Sequence, residues 1–331
     1  MKYELLNQKK VRLDKLRPLS SELTKNLNEW FKVELTYTSN ALEGNSLTRR
    51  ETAIVIEKGL TIGDKALVDH LEATNHAKAI DIIYMFQKKK PPEITENDIL
   101  TIHNIMLHGI NDHNAGGYRK LPGRISGSNM IMPNPIKVPN LMVDFIAWLK
   151  SEESIHPVQL AGEAHYRLVT HPFTDGNGRT ARLLMNMILL MTGYPPAIIK
   201  PQERLAYITS LETAQLGGTK EPYHQIIINA VNRSLDIYLK AASGRQPSDV
   251  EAPRKLMKIG EIAKAAEESV STIRFWTKEG LLEVAGITRS HYQLYSPAML
   301  NKCQNIQLLK KQRFTLKEIK DKLDNNQLCR L

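Results

Sequence analysis

Residues 171 to 182 read HPFTDGNGRTAR and combine groups that can act together on a phosphate ester. His171 carries an imidazole, whose ordinary pKa suits a general base near neutral pH. Asp175 offers carboxylate oxygens of the kind that hold Mg2+ beside phosphates. Because both side chains adjoin two glycines and two arginines, the segment predicts a nucleotide site.

The glycines and arginines of this segment supply groups that bind an anion. Gly176, Asn177 and Gly178 stand where a predicted helix begins, and backbone N–H groups at a helix start favour a phosphate. Arg179 and Arg182 are three residues apart, so their guanidiniums lie on one face of that helix. A lone histidine is more often structural, and a lone Gly-Asn-Gly is more often a turn. Their combination in one short segment favours nucleotide binding.

The elements that must position this segment are helices. Helix-favouring residues recur at three- and four-residue spacing, which predicts a mainly α chain with helices over 99–107, 141–149, 159–169, 180–191 and 225–239. Residues 124–137, RISGSNMIMPNPIK, are the exception and predict a short β-hairpin or an ordered loop. Residues 243–253 are polar, contain two prolines and predict a linker.

Together these features resemble a known family. The segment from His171 to Arg182 is similar to the signature of Fic-domain proteins, H-x-F-x-D/E-G-N-G-R-x-x-R, at every specified position. GGYRK from Gly116 and GYPPAII from Gly193 resemble the same family, and the resemblance covers about residues 30 to 240. It implies the Fic fold, a helical bundle with a short β-hairpin flap. It also implies an enzyme that moves AMP from ATP to a Ser, Thr or Tyr hydroxyl of a target protein.

The resemblance implies a role for each residue of the motif. His171 would deprotonate the attacking hydroxyl, and Asp175 would hold Mg2+. The ATP phosphates would bind to Gly176, Asn177, Gly178, Arg179 and Arg182. Of these, Arg182 would contact the γ-phosphate. Related phosphotransferases carry Ala and Lys in place of the two glycines, so the glycines favour AMP transfer over kinase activity.

The upstream segment TSNALEGN, residues 38–45, contains a candidate inhibitory element. From the residues alone, Glu43 lies at the end of a helix beside a Gly44 C-cap, as many exposed glutamates do. Fic proteins often carry an inhibitory helix with the pattern S/T-x-x-x-E-G/N, which Ser39, Glu43 and Gly44 match. The resemblance implies that Glu43 pairs with Arg182 and keeps it from the γ-phosphate. In some relatives the same glutamate supports removal of AMP, so a second activity stays open.

The loop between these two motifs is a candidate target-binding flap. Strand addition to the target would involve Ile125, Ser126, Gly127, Ser128 and Asn129. An ordinary loop, rich in proline and methionine, is the alternative.

Residues 258–323 resemble the DNA-binding region of MerR-type regulators, through IGEIA, VSTIRFW, KEGLL and FTLKEIKDKL. The resemblance implies a winged helix-turn-helix domain whose DNA-facing residues are Ser271, Thr272, Arg274, Lys278 and Arg289. Glu267 and Glu268 replace the usual turn glycine, so a protein-contact module is the alternative. Two DNA half-sites would require a homodimer. The alternative function for the whole chain is a DNA-binding regulator whose Fic domain senses a nucleotide.

Composition agrees with these expectations. The 331 residues carry a net charge of +10, and residues 254–331 contain 15 basic and 8 acidic side chains, which fits a phosphate-bearing partner. The two cysteines lie far apart, with no metal-binding spacing near them, so the sequence supports neither a disulfide framework nor a structural zinc site. Without a signal peptide or an apolar stretch of roughly 20 residues, a cytoplasmic protein with no membrane partner is expected.

The predicted organisation has four parts. Residues 1–90 form a helical region with the inhibitory helix, and residues 91–242 form the Fic core. Residues 243–253 form the linker, and residues 254–331 form the helix-turn-helix domain.

Overall fold

The computed structural model describes residues 3–123, 130–152, 154–169, 172–243, 256–284, 286–287, 292–296, 298–311, 314–316 and 318–319. The chain is mainly helical, which confirms the predicted fold class. It divides into two compact units, Met1–Arg245 and Gln246–Leu331.

The described part of the first unit contains ten α-helices. In chain order they are α1 (Glu4–Asp14), α2 (Ser21–Leu42), α3 (Arg49–Lys58), α4 (Leu67–Phe86), α5 (Glu96–Leu107), α6 (Val138–Ser151), α7 (Pro157–Leu168), α8 (Asn177–Met191), α9 (Arg204–Gln215) and α10 (Glu221–Ala242). Three short 3-10 turns cover Pro91–Glu93, Pro135–Lys137 and Pro201–Glu203. The five helices predicted from residue spacing are α5, α6, α7, α8 and α10, with ends shifted by a few residues.

Side-chain caps determine where several of these helices begin. The Ser20 hydroxyl accepts a hydrogen bond from the Leu23 N–H at the start of α2. Thr48 and Glu51 form a capping box at the start of α3, and Thr95 with Asp98 does the same for α5. These caps satisfy N–H groups that have no partner inside a helix, so the starts of α2, α3 and α5 are set locally.

Helix α8 lies at the centre of the first unit, where it contacts α2, α4, α5 and α7. Every residue from Thr180 to Leu189 is buried. A helix buried on all sides must be apolar around its whole circumference, which the sequence LLMNMILL provides. Its polar residue Asn186 exchanges two hydrogen bonds with the Ala197 backbone. The first turn of α8 is therefore anchored in the core. This turn belongs to residues 171–182, which we call the phosphate motif.

The described residues of the second unit form a small sheet and three helices. They are β1 (Met257–Lys258), α11 (Ile259–Ala265), α12 (Val270–Lys278), β2 (Gly286–Ile287), β3 (Gln293–Tyr295) and α13 (Ala298–Lys311). The strands pair antiparallel in the order β1-β3-β2, with Met257 opposite Tyr295 and Gly286 opposite Leu294. Trp276, Ile273 and Ile262 are fully buried and form the centre of a separate hydrophobic core.

The turn between α11 and α12 contains the two glutamates that depart from the MerR pattern. Glu267 has a φ of +53°, the left-handed conformation that a glycine adopts with less strain. The Glu268 carboxylate accepts a hydrogen bond of 3.0 Å from the Gln307 side chain on α13. Glu268 therefore stabilises the packing of the turn against a neighbouring helix.

Two further expectations concern the flap and the membrane. The predicted hairpin over 124–137 lies partly outside the described residues, and its described part leads into the 3-10 turn Pro135–Lys137. Among the described helices, none combines the length and the apolar character needed to cross a membrane.

Candidate functional site

The loop that precedes α8 forms a compact backbone cradle. Gly176 is the N-cap of α8 with a φ of +75°, which favours glycine, and a Cβ there would lie 3.4 Å from the His103 ring. The Asn177 side chain folds back on the loop, where it accepts from the Phe173 N–H and donates to the Phe173 carbonyl oxygen, both at 2.9 Å. Asn177 therefore shapes the cradle with its side chain, which leaves its backbone N–H at the helix start for an anion.

His103 braces this cradle from α5, a role that the motif analysis missed. Its Nδ1 accepts a hydrogen bond from the Gly116 N–H, and its Nε2 donates to the Asp175 carbonyl oxygen, both at 3.0 Å. Its ring stacks on Phe173 with 3.7 Å between ring centroids. Burial lowers the pKa of His103, which fits the neutral ring that this pair of hydrogen bonds requires.

Asp175 lies at the mouth of the cradle. Its Oδ1 accepts a hydrogen bond of 2.6 Å from the Gly176 N–H, and its Oδ2 lies 3.5 Å from an Arg179 nitrogen. The side chain is 61% exposed, so its oxygens are accessible. No cluster of three or more His, Cys, Asp or Glu residues within the described ranges could hold a metal by itself. A single accessible carboxylate fits Mg2+, which proteins often hold through one or two carboxylates together with substrate phosphates.

Arg182 is buried and hydrogen bonded to Ser39 in the last turn of α2 and to Glu43, the C-cap of that helix. Its Nε donates to the Ser39 hydroxyl at 2.9 Å, and its Nη2 donates to the Ser39 carbonyl oxygen at 3.0 Å and to Glu43 Oε1 at 2.6 Å. Desolvation acts to raise the pKa of the Glu43 carboxyl, but the Arg182 guanidinium outweighs it and holds that pKa below its ordinary value. The structure therefore brings Ser39 and Glu43 into contact with the last arginine of the phosphate motif.

The Glu43 carboxylate also lies over the cradle. A Cβ placed on Gly178 would be 2.5 Å from Glu43 Oε1 and 3.1 Å from an Arg182 nitrogen. Such a distance is too short for any real side-chain atom, so Gly178 is required for this position of Glu43. The predicted site for an anion is thus partly occupied by a carboxylate of the chain itself.

Arg179, the other arginine of the motif, has its own carboxylate partner. It is 3% exposed and donates a hydrogen bond of 2.5 Å to Glu72 on α4. The other Glu72 oxygen accepts from the Asn45 side chain at 2.8 Å. Asn45 follows Gly44, whose φ of +98° ends α2. The C-terminal turn of α2 therefore contacts Arg182 directly and Arg179 through Glu72.

Three groups of predicted site residues fall outside the described residues. They are His171, the flap residues 125–129 and Arg289. The residue after His171 is described: the Pro172 carbonyl oxygen accepts a hydrogen bond of 3.0 Å from the Arg119 N–H. The GGYRK segment thus adjoins the start of the phosphate motif.

Comparison with known proteins decides the family. A model described as the Fic/DOC family matches residues 93–189. A Fic domain containing signaling protein from Bacteroides thetaiotaomicron is 30% identical, with a TM-score of 0.68 over 73% of this chain and 99% of that chain. The chain belongs to the Fic/DOC family. Fic-1 from C. elegans is also 30% identical to this Fic protein, with a TM-score of 0.66 over 74% of each chain.

Curated relatives carry the name protein adenylyltransferase Fic. The relative from Culex quinquefasciatus is 35% identical over 245 residues, which is 73% of this Fic protein and 48% of the relative. The relative from Aedes aegypti is 32% identical over 288 residues, which is 86% of this Fic protein and 55% of the relative. The chain therefore spans about half the length of the curated relatives it matches.

The C-terminal unit of this Fic protein matches a second family model, described as MerR HTH family regulatory protein, over residues 257–326. Arg274 and Lys278 are exposed one turn apart on α12. The hydroxyls of Ser271 and Thr272 instead hydrogen bond to the Ser269 hydroxyl at the N-cap of α12. Four of the residues predicted to face DNA are described. Of these, Arg274 and Lys278 take no part in the hydrogen bonds of the N-cap.

Proposed function

We propose that this Fic protein transfers AMP from ATP to a Ser, Thr or Tyr hydroxyl of a target protein, and that Glu43 holds it inactive. The observation that carries the proposal is the Glu43 carboxylate, which pairs with Arg182 at 2.6 Å and lies over Gly178. Relatives named adenylyltransferase support the activity. The match of residues 171–182 to the Fic signature supports the assignment of catalysis and ATP binding to residues of that segment.

The reaction would use positioning and charge neutralisation more than covalent help. Backbone N–H groups at the start of α8 would bind the α- and β-phosphates, and Arg179 and Arg182 would neutralise their charge together with that of the γ-phosphate. Asp175 would hold Mg2+, which supplies further neutralisation of the phosphates when bound. His171 would accept the proton of the target hydroxyl. The hydroxyl oxygen then forms a bond to the α-phosphorus while the bond to the pyrophosphate oxygen breaks.

The inhibition follows from charge. A carboxylate hydrogen bonded to a guanidinium competes with a phosphate for the same donors. Three carboxylates, those of Glu43, Glu72 and Asp175, face the two guanidiniums, so the site without metal has no positive surplus for a polyphosphate. Withdrawal of Glu43 restores the donors of Arg182. Removal of AMP from the target with the help of the same carboxylate is the second proposed activity of this site.

The test is labelling of the protein from ATP that carries radioactive phosphorus in the α position. Glu43→Gly is expected to increase self-labelling by roughly tenfold or more, because a hydrogen bond to a charged group is removed from Arg182. Arg182→Ala should cancel the gain, and the double variant should resemble Arg182→Ala alone. Label from γ-labelled ATP would instead indicate kinase activity. Equal labelling of the unsubstituted protein and Glu43→Gly would contradict inhibition by Glu43.

We also propose that the second unit binds DNA. The match to the MerR model and the exposed Arg274 and Lys278 support this function. The positive surplus of residues 254–331 supplies the sequence-independent attraction to phosphates. Two copies of the chain would then contact two half-sites.

A further inference from the structure

A pocket of about 280 Å³ is lined by Pro172, the residue that directly follows His171 in the chain. Pro133 and the α7 residue Arg167 also line it. Helix α6 supplies four more lining side chains at spacings of three and four residues, which places them on one helix face: Val138, Leu141, Met142 and Phe145. Sites for whole small molecules have volumes of about 300–1,000 Å³, so this pocket fits a single side chain.

Arg119 holds the two prolines of this pocket in place. Its N–H donates a hydrogen bond of 3.0 Å to the Pro172 carbonyl oxygen. Its guanidinium donates to the Pro133 carbonyl oxygen and, at 3.2 Å, to the Leu121 carbonyl oxygen. The Arg119 side chain is itself buried. Because one buried residue bonds to both prolines, the pocket is formed before any target binds.

The lining of the pocket favours an apolar occupant. A proline has no N–H to donate, and the carbonyl oxygens of Pro133 and Pro172 already accept from Arg119. The four α6 side chains are all apolar; Leu141 is 43% exposed and the other three are buried. A polar group that entered the pocket would lose its hydrogen bonds to water without replacement, whereas an aliphatic group would gain by leaving water.

The surface next to the pocket is also apolar, and one side of the pocket carries a positive charge. Ile131 and Ile136, in the segment that leads into α6, are 90% and 84% exposed. Single apolar side chains on a surface are ordinary, but several beside a pocket indicate an interaction surface. The charge is that of Arg167, whose guanidinium carbon lies 4.1 Å from the centre of the Trp148 ring. An acidic neighbour of the occupant is therefore favoured over a basic one.

We propose that this pocket binds an aliphatic side chain of the target, within about four residues of the hydroxyl that accepts AMP. The inference rests on the proposed function, which places His171 at the attacking hydroxyl. Consecutive Cα atoms are about 3.8 Å apart, and an extended chain advances about 3.3 Å per residue. A group in contact with Pro172 is therefore a few residues from one at His171. The class of target is an extended segment with an aliphatic residue, and preferably an acidic neighbour, close to the modified hydroxyl.

Synthetic peptides test this preference. Each peptide carries one Ser, Thr or Tyr in a chain of Gly and Ala, with either Leu or Ala at one position up to four residues away on either side. Labelling by the full chain with Glu43→Gly, from α-labelled ATP, gives kcat/KM for each peptide. At one position Leu is expected to raise kcat/KM about tenfold over Ala, which is at the lower end of the discrimination that an apolar pocket gives.

Leu141→Gln tests whether the pocket is the source of the preference. It is expected to reduce the ratio of kcat/KM for the Leu and Ala peptides to about threefold or less, because a polar side chain then borders the bound aliphatic group. Val143→Gln is the matched control, since Val143 is an exposed residue of the same helix outside the pocket lining. The ratio is unaffected by changes in overall activity. Equal ratios in the two variants would overturn the inference.

A second variant tests the charge beside the pocket and does not depend on Leu141→Gln. Peptides with Leu at the preferred position carry Asp or Lys next to it, and the Asp peptide is expected to be labelled faster. Arg167→Glu should reverse this order. Lys150→Glu is the control, because Lys150 is an exposed basic residue of α6 outside the lining. A preference that Arg167→Glu leaves unchanged would overturn the assignment of the segment to this pocket.

The peptide series also separates this inference from the proposed activity. Labelling of peptides with no preference for Leu at any position would overturn the pocket inference while AMP transfer stands. Self-labelling without label on any peptide would overturn it as well, because the pocket is proposed to accept an extended segment. If neither the peptides nor the protein is labelled, the proposed activity fails, and the pocket inference fails with it.

Discussion

Gly178 has no side chain, and this absence matters in two states of the site. In the structure it leaves room for the Glu43 carboxylate, and in the proposed active state it would let a phosphate approach the backbone. Both occupants are anions, and both approach the same helix start. The residue that would permit phosphate binding therefore also permits the proposed inhibited arrangement.

Gly178→Ala is expected to lower the free energy of unfolding by about 1–3 kcal/mol, because the new methyl group would displace Glu43 Oε1 and break its charged hydrogen bond to Arg182. In the Glu43→Gly background the overlap is absent, so the same substitution should cost much less. Urea unfolding of the four proteins gives this coupling. Equal costs in both backgrounds would show that Glu43 does not lie against residue 178 in solution.

Two buried histidines make stability depend on pH. Burial, followed by the Arg182 charge, lowers the pKa of His76 and of His165 to about 3, against 6.5 in the unfolded chain. The folded protein keeps both rings neutral while the unfolded chain binds protons below pH 6.5. The free energy of unfolding should therefore be constant above that pH and fall by about 1.4 kcal/mol per pH unit per histidine below it.

Urea unfolding at pH 7, 6 and 5 measures this slope. His76→Gln should remove part of it, whereas replacement of the exposed His113 should leave it unchanged. Identical stability at pH 7 and pH 5 would contradict the neutral, buried state of these rings.

At the scale of elements, the last turn of α2 combines three functions. It ends the helix at Gly44, it places Glu43 on Arg182, and through Asn45 it reaches Glu72 and Arg179. The conformation of one turn thus determines whether both arginines of the motif are engaged by carboxylates.

Gly44→Ala tests whether this turn sets the inhibition. The φ of +98° is unfavourable for alanine, so the turn should open in part and self-labelling should rise above that of the unsubstituted protein while staying below that of Glu43→Gly. Gly59→Ala is the matched control, since Gly59 ends α3 at a φ of +63° and, like Gly44, has no atom within 4 Å of an added Cβ. Increased labelling in both variants would attribute the effect to general destabilisation.

Local sequence patterns predicted most of the helices in the first unit. They predicted a contact between distant elements only where a known motif contains one of the two residues. Helix α8 was predictable because its helix-favouring residues recur at three- and four-residue spacing, and Glu43 because a family pattern marks it. No sequence pattern includes Glu72 or Tyr207. Glu72 lies 107 residues from Arg179, and Tyr207 lies 42 residues from His165, so their pairing depends on how α4, α7, α8 and α9 pack. Their residue types alone indicate a surface glutamate and a core tyrosine.

At the scale of the whole molecule, the chain joins a Fic unit to a MerR-type unit with its own hydrophobic core. The separate cores indicate that each unit carries the residues for its own stability. The proposed activities are correspondingly separable, and substitutions in the second unit should not change AMP transfer to a peptide or to the chain itself.

DNA binding by the full chain should weaken steeply with salt if the second unit contacts phosphates. Arg274→Ala is expected to reduce the slope of log affinity against log salt by about 1, which corresponds to one phosphate contact. Lys302→Ala is the control, because Lys302 is a basic residue of the same unit that is already paired with Glu283 at 2.8 Å. Binding that is independent of salt, or absent for every duplex tested, would favour the protein-contact function.

The contact between Glu43 and Arg182 is intramolecular, and this determines what can relieve it. A carboxylate attached to the same chain has an effective concentration of about millimolar or higher, which dilution of the protein does not change. Under the proposed inhibition, ATP would compete with a tethered carboxylate whose occupancy is independent of how much protein a cell contains. Relief of the proposed inhibition would then require a change in α2 itself, whose last turn and cap are joined to α4 and α8 by the contacts of Asn45, Ser39 and Glu43. A macromolecule that binds this helix would act on catalysis without touching the nucleotide.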